Sequence, residues 1–331
     1  MAQRHITDLG IAPDGKVFQS ITIGGGGLTA RVLTFGAALQ DLRLGGHDVP
    51  VVLGHAEPEA YFDNPGYLGA IVGRYANRIA DGRFTLDGRG HQVDRNENGV
   101  QCLHGGSLGT SAQSWQLLES ADDHVTLGLM LEDGHMGFPG ALDLRCRYST
   151  RGSTLTILLT GRSDATTYCN LASHAYYNLT GAADIKEHRL CITAERYLPV
   201  DARQIPLGAP ADVAGTPFDF RTPAGLTAPL DHTFCRAEAR TALGPAATLE
   251  AAGLHMTLET TEPGLHVYDG AALGRTNRPG LQGAPYGPHA GIALEPQAWP
   301  DAPNQSWASQ ALLRPGETWR SETRLSFERV S

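Results

Sequence analysis

Lysine is almost missing from this chain: Lys16 and Lys186 are the only two in 331 residues, and arginine supplies the rest of the 26 basic side chains. Against 35 acidic residues they leave a formal charge of −9. A protein that neutralises a phosphate backbone normally shows a basic face, so no nucleic-acid partner is expected. The arginine bias runs along the whole chain and carries no functional weight. Five cysteines do not make a disulfide framework at this length; free thiols in a reducing cytoplasm are expected. No run of about 18 apolar residues occurs, so no transmembrane helix and no membrane partner are expected. The opening MAQRHITDLG lacks a charged region followed by an apolar core, so no secretory signal is read there. Familiar catalytic spacings are missing as well. There is no GxSxG for an activated serine. Thirteen histidines include no HxH, HExxH or Cys/His spacing, so no metal is expected. The run Gly24 to Gly27 is followed by no Lys-Ser/Thr and reads as a flexible turn rather than a phosphate loop.

What is abundant is turn chemistry. Forty glycines and twenty prolines exceed ordinary usage. The apolar pattern has period two. Thr29 to Phe35, Val125 to Leu131, Leu142 to Tyr148 and Thr154 to Leu159 are short, β-branched or aromatic, and bounded by pairs such as Asp87-Gly88 and Asp133-Gly134. The strands on either side of Ser149 to Ser153 predict a hairpin. Almost nothing fits an amphipathic helix; Ala247 to Ala252 is at most one short turn. The long Pro/Gly-rich stretch from Pro199 to Gly225 reads as a surface connection, not a linker. These features predict an all-β protein, a large antiparallel sandwich or barrel, with residues 1–331 forming a single domain. At this size roughly three quarters of the unfolded surface can be buried, so a core needs no metal or disulfide.

Four segments carry polar chemistry. In NLASHAYYNL (170–179), strand alternation puts Asn170, Ala172, His174, Tyr176 and Asn178 on one face, and Leu171, Ala175, Tyr177 and Leu179 on a core-like face. The first face is either a solvated surface or a groove. In GPHAGIALEPQAW (287–299), Glu295 shares a face with His289, Gly291, Ala293 and Gln297; its small neighbours leave room for a ligand. His104 closes NGVQCLHGG, and the two glycines after it permit close approach of a ligand or another backbone. In GRYANRI (73–79), Arg74 and Arg78 flank Asn77, and arginine suits bidentate contacts as well as surface ion pairs. Two histidines, one carboxylate and amide or guanidinium donors suit a neutral polyhydroxylated ligand. Paired carboxylates for glycoside hydrolysis remain open, because sequence spacing says little about proximity in a sandwich.

The chain resembles the aldose 1-epimerase (galactose mutarotase) family. The resemblance rests on GRYANRI at 73–79, NGVQCLHGG at 98–106, DGHMGFPGALD at 133–143, NLASHAYYNL at 170–179, QIPLG at 204–208 with TPFDFR at 216–221, LDHTF at 230–234, TEPGLHVYDG at 261–270 and HAGIALEPQAWPDAPN at 289–304, in the family's order. It implies a one-domain galactose mutarotase-like supersandwich with a sugar groove across one sheet. It implies His174 as general acid, Glu295 as general base and His104 as the second active-site histidine. Arg74 and Asp231 resemble the sugar-binding pair, with Asn77 in support and Tyr176 also facing the sugar. Three positions depart from the family's pattern: Gln101 for a common Asn, His266 for a common Gln, and Pro296 beside the base. They bear on which sugar is preferred.

The implied reaction interconverts the α and β anomers of a free aldose such as galactose or glucose. A carboxylate removes the proton of the anomeric hydroxyl and an imidazolium protonates the ring oxygen. The aldehyde rotates and the ring recloses. No nicotinamide, metal or other cofactor is required. Asp231 is expected to raise the proton affinity of His174. The implied partner is the small-molecule sugar, and the protein is expected to be a monomer of the cytoplasm. Two alternatives stand beside this reading: a hexose-6-phosphate 1-epimerase, which would need extra cations at the groove rim, and a non-catalytic sugar-binding domain on the same scaffold.

Overall fold

The computed structural model of the chain describes residues 5–329. Strands His5–Ile11, Val17–Gly24, Leu28–Leu33 and Leu39–Leu44 form a four-stranded meander. The Gly24 to Gly27 run turns between the second and third of these. An eight-stranded sheet is ordered Gln116–Ser120, His124–Leu131, Leu142–Arg151, Thr154–Ser163, Trp319–Arg329, Leu254–Thr260, Gly244–Ala251, Arg189–Ile192. A six-stranded sheet runs Tyr176–Tyr177, Ile292–Gln297, Gly264–Tyr268, Asp231–Cys235, Arg196–Tyr197, Ala211–Asp212. Every strand pair in these sheets is antiparallel. Helix among the described residues is limited to short 3₁₀ turns, the longest being Pro58–Asp63. None is long and apolar enough to cross a membrane. All five cysteines are free.

The period-two pattern becomes burial. Along Leu142–Arg151 the side chains of Leu142, Leu144, Cys146 and Tyr148 are buried, and Leu155, Ile157 and Leu159 on the next strand join them. Arg151 faces Thr154 across the hairpin, tighter than a turn beginning at Ser149. The same core receives Ile292 and Leu294 from the six-stranded sheet. Burying a side chain of this kind contributes roughly 1.5–3 kcal/mol relative to exposure. The expected turn at Ala247 to Ala252 is instead strand, Gly244–Ala251. Its alanines pass for helix formers, but Ala247, Leu249 and Ala251 alternate into the core, and tertiary burial overrides local propensity. The 199–225 segment is largely irregular, yet Ile205, Val213 and Phe220 anchor it.

The strand Ile292–Gln297 is buried on both faces. Its inner face meets the eight-stranded sheet. Its outer face, with Ala293, Glu295 and Gln297, is covered by segments from the first 105 residues and by loops of the C-terminal third. That second cover, absent from most antiparallel sheets, creates the interior in which the polar residues meet.

Candidate active site

The floor of the site is two cross-strand rows on the outer face of the six-stranded sheet. Thr233, His266 and Glu295 are aligned in register, and Asp231, Tyr268, Ala293 and Tyr176 form the adjacent row. The register therefore joins LDHTF, TEPGLHVYDG and ALEPQ into one surface. NLASHAYYNL is not one continuous strand. Ala172–Ser173 pairs with Ile71–Val72, whereas Tyr176–Tyr177 pairs with Ile292–Ala293. The chain changes sheets at His174, whose N–H donates to Ala70 O and whose carbonyl accepts from Gly69 N. Its polar face is buried rather than solvated: His174 and Tyr176 line a cavity, while Asn170 and Asn178 brace backbone groups.

The roof comes from the N-terminal half. Arg78–Ile79 pairs with Cys102–Leu103, which brings GRYANRI against NGVQCLHGG. Asn77 and His104 both have positive φ, 65° and 52°. They hold each other: Asn77 N donates to His104 Nδ1 at 3.2 Å, and His104 N donates to Asn77 O at 3.1 Å. Of the two close approaches expected at the glycine after His104, the structure shows the backbone one. A Cβ on Gly105 would lie 2.1 Å from Gly73 O, so backbone, not ligand, makes the close approach. The small residues near Glu295 are explained in the same way. A Cβ on Gly291 would meet Leu53 and Tyr176 at 2.8–3.1 Å, so its small size accommodates protein side chains.

Between floor and roof lies a cavity of about 240 Å³ lined by Asn77, Arg78, His104, His174, Tyr176, Asp231 and Glu295, among others. That is below the usual range for drug-sized ligands and suits a small one. His174 Nε2 is 3.6 Å from Glu295 Oε1. The other carboxyl oxygen, Oε2, is buried without a hydrogen-bond partner among the described residues. The His174 ring is caged by Tyr67, His104 and Tyr176, with ring centroids 5.1–5.6 Å away.

Arg74 does not belong to this cavity. It is buried elsewhere, donating Nη1 to Gly140 O at 2.9 Å and Nη2 to Pro139 O and Thr167 Oγ1 at 3.0 and 2.8 Å, with Phe138 under the guanidinium. It pins the Pro139-Gly140 turn. Arg78 takes the place expected of it: Nη1 lies 3.7 Å from Asp231 Oδ2, while Nε and Nη2 grip both oxygens of Glu97 at 2.9–3.3 Å. The carboxamide of Gln101 donates to Glu97 Oε2 at 2.6 Å. Both arginines of GRYANRI are legible in the sequence, and nothing local marks the one that reaches the cavity. Glu97 and Tyr67 sit in irregular segments, and no pattern pointed to them. His289 lies apart from His104 and His174, against Asp269.

Protonation follows burial. Burial, aided by the Asp231 charge and opposed by Arg78, pushes the Glu295 carboxyl well above the carboxylate range. Burial likewise takes His174 down to about 4; a contact with its own backbone and the Asp231 charge pull upward, and His266 pushes downward. The expected rise of His174 is thus reversed, because desolvation outweighs a carboxylate that already has partners. Burial and the neighbouring His174, Arg78 and His266 hold His104 well below its ordinary value. Asp231 goes the other way. Burial would raise it, but the His266 hydrogen bond and the charges of His266 and Arg78 prevail and hold it at about 2.

Ligating atoms of His104, His174 and Glu295 all lie within 4.8 Å of one another, the grouping of a two-histidine, one-carboxylate metal site. The His104 ring does not fit that use. Its Nδ1 lone pair accepts the Asn77 N–H, which places the hydrogen of the neutral ring on Nε2. Neither nitrogen then offers a lone pair to a cation. The ring instead presents Nε2–H as a donor, suited to a sugar oxygen.

A sequence model described as Aldose 1-epimerase matches residues 19–326. The galactose mutarotase of Rattus norvegicus is 37% identical over 94% of this chain and 97% of its own. The aldose 1-epimerase of Escherichia coli K12 is 35% identical over 96% and 97%. Among solved structures, a galactose 1-epimerase from Lactobacillus acidophilus superimposes with a TM-score of 0.87 at 30% identity over all of both chains.

Proposed function

The chain belongs to the aldose 1-epimerase family, and from that premise we propose that Glu295 and His174 carry the two proton transfers of anomer interconversion. The activity itself is aldose 1-epimerase, an isomerase reaction on a sugar. The observation that carries the residue assignment is the 3.6 Å separation of His174 Nε2 and Glu295 Oε1 inside a buried cavity. The two oxygens that exchange protons, the anomeric hydroxyl and the ring oxygen, are bonded to the same carbon. An acid and a base serving them must be near neighbours, and these two are.

Glu295 takes the hydroxyl proton while His174 protonates the ring oxygen; closure reverses both steps. The raised Glu295 and lowered His174 favour holding the pair's one proton on the carboxyl before a sugar binds. The working arrangement, carboxylate beside imidazolium, has the same proton count and net charge. A sugar hydroxyl delivered to the carboxyl donates more strongly to its ionised form, which favours moving that proton to His174. Each positioned group typically contributes about 10²–10⁴-fold. Asp231, Arg78, Asn77, Tyr176 and the His104 Nε2–H hold the sugar hydroxyls.

Galactose and glucose are the first sugars to try. The whole chain working as one domain is supported by the core cluster that spans the eight- and six-stranded sheets. A place in the cytoplasm is in keeping with five free thiols. The test is polarimetry on freshly dissolved α-anomers. The reading requires faster mutarotation with wild type and its near-loss in Glu295→Gln and His174→Asn; undiminished rates in either variant would remove that residue from the mechanism.

A further inference from the structure

We propose that His266 is a positioning residue that holds Asp231 ready for the sugar, so that this imidazole sets sugar affinity rather than turnover. The inference rests on the reading of Asp231 as a sugar ligand.

The Asp231 carboxylate has two cationic or potentially cationic neighbours of unequal value. Arg78 Nη1 stands 3.7 Å away, and that guanidinium is already committed to Glu97 through two other nitrogens. His266 Nε2 is 2.8 Å from Asp231 Oδ1 and supplies the hydrogen bond. The far side of the ring is fixed too: Nδ1 lies 2.9 Å from Thr233 Oγ1, the register partner of His266. The ring is buried, 5% exposed, so water does not substitute for either partner.

A hydroxyl both donates and accepts. With neutral His266, Nε2–H serves Asp231 and Nδ1 accepts the Thr233 O–H. With the charged ring, both nitrogens donate and the Thr233 hydroxyl turns over. The geometry survives in both states, and in both the bond to the Asp231 carboxylate is charge-assisted, roughly twice as strong as one between neutral partners. A carboxylate held in one rotamer before the sugar arrives loses less freedom on binding. The depressed Asp231 agrees with such a clamp.

The ionisable groups around the ring are few. Asp231 comes from the neighbouring strand on one side and Glu295 from the strand on the other, with Arg78, His104 and His174 across the cavity, Tyr268 on its own strand and His232 beside Asp231. Among the described residues only the Asp231 carboxylate and the Thr233 hydroxyl are hydrogen-bonded to the ring.

The experiment is KM and kcat for mutarotation of one aldose at one fixed pH for wild type, His266→Gln, His266→Leu and Asp231→Asn. Glutamine offers an N–H to Asp231 and a carbonyl to Thr233. His266→Gln should keep KM within about threefold of wild type. His266→Leu should raise KM on the order of tenfold. In both His266 variants kcat should stay near the wild-type value. A His266→Leu enzyme with the wild-type KM overturns the inference even if Asp231→Asn raises KM. An Asp231→Asn enzyme with unchanged KM overturns both it and the assignment of Asp231 to the sugar.

Discussion

Asn77 and His104 close a reciprocal pair in which each left-handed residue satisfies the other: the Asn77 N–H is accepted by the His104 ring and the His104 N–H by the Asn77 carbonyl. One backbone amide thereby determines the tautomer of an active-site imidazole. Asparagine tolerates this conformation better than most residues, and a β-branched side chain does not. Asn77→Val should therefore lower stability by about 1–2 kcal/mol and reduce kcat/KM, whereas Asn77→Gly should keep most of the stability and lose kcat/KM only through the missing carboxamide contact with the sugar. Thermal melts and initial rates on the two variants check this; equal behaviour would mean the backbone strain is unimportant.

The same tautomer bears on metals. With no lone pair free on His104, mutarotation should run at full rate after dialysis against a chelator. An activity lost on dialysis and restored by a divalent ion would show that the ring can turn over to its other tautomer and ligate.

Glu295→Gln and His174→Asn should each lower kcat by about 10²–10⁴-fold with small changes in KM, since both groups act on the transition state. Stability should move in the opposite direction for the carboxyl. In the unfolded chain at neutral pH Glu295 is ionised, and folding buries it where the charged form is disfavoured. Glutamine removes that penalty, so Glu295→Gln should melt higher than wild type at pH 7. A lower melting temperature would argue that the ionised carboxyl is well solvated in the fold.

The pH dependence follows from the pair's proton count. The rate needs one proton shared between Glu295 and His174. Below the lower step the pair holds two, and above the upper step none, so kcat/KM should be bell-shaped with constants belonging to the pair. In the free enzyme the second proton goes onto His174, so the acid limb should lie near 4. His174→Asn removes that site, and its residual activity should show no acid limb there; an unchanged limb would assign it to Glu295. The linked effect on folding has a definite sign. A histidine whose folded value is depressed binds more protons unfolded, so stability is whole above about 6.5 and falls as pH drops toward 4, by about 3 kcal/mol for one such ring. Denaturation at several pH values should be less pH-dependent in His174→Asn.

The two arginines of GRYANRI should separate cleanly. Arg78→Lys loses the two-pronged grip on Glu97 and the contact with Asp231, so KM should rise roughly tenfold with kcat nearly kept. Arg74→Lys should leave KM unchanged and cost about 2–4 kcal/mol of stability, because buried carbonyls at Pro139 and Gly140 lose their donors. The reverse pattern would return Arg74 to the sugar.

Much of this was legible in the residues themselves. Period-two alternation in Leu142 to Tyr148 and Thr154 to Leu159 announces half-buried antiparallel strands, because a pleated chain puts successive side chains on opposite faces whatever it pairs with. The same alternation sorts Glu295 from Leu294 and Tyr176 from Tyr177. It could not tell that the polar face of Ile292–Gln297 would be roofed, since the roof is built by Asn77, Arg78 and His104, more than 180 residues away in sequence. Nor could it choose Arg78 over Arg74: both are arginines four positions apart, and only the pairing of Arg78–Ile79 with Cys102–Leu103 turns one to the cavity while the other finds Gly140. The proton balance of His174 and Glu295 was decided last, and by the tertiary structure alone. A side chain's chemistry is local, but the desolvation that shifts it depends on everything the fold places around it.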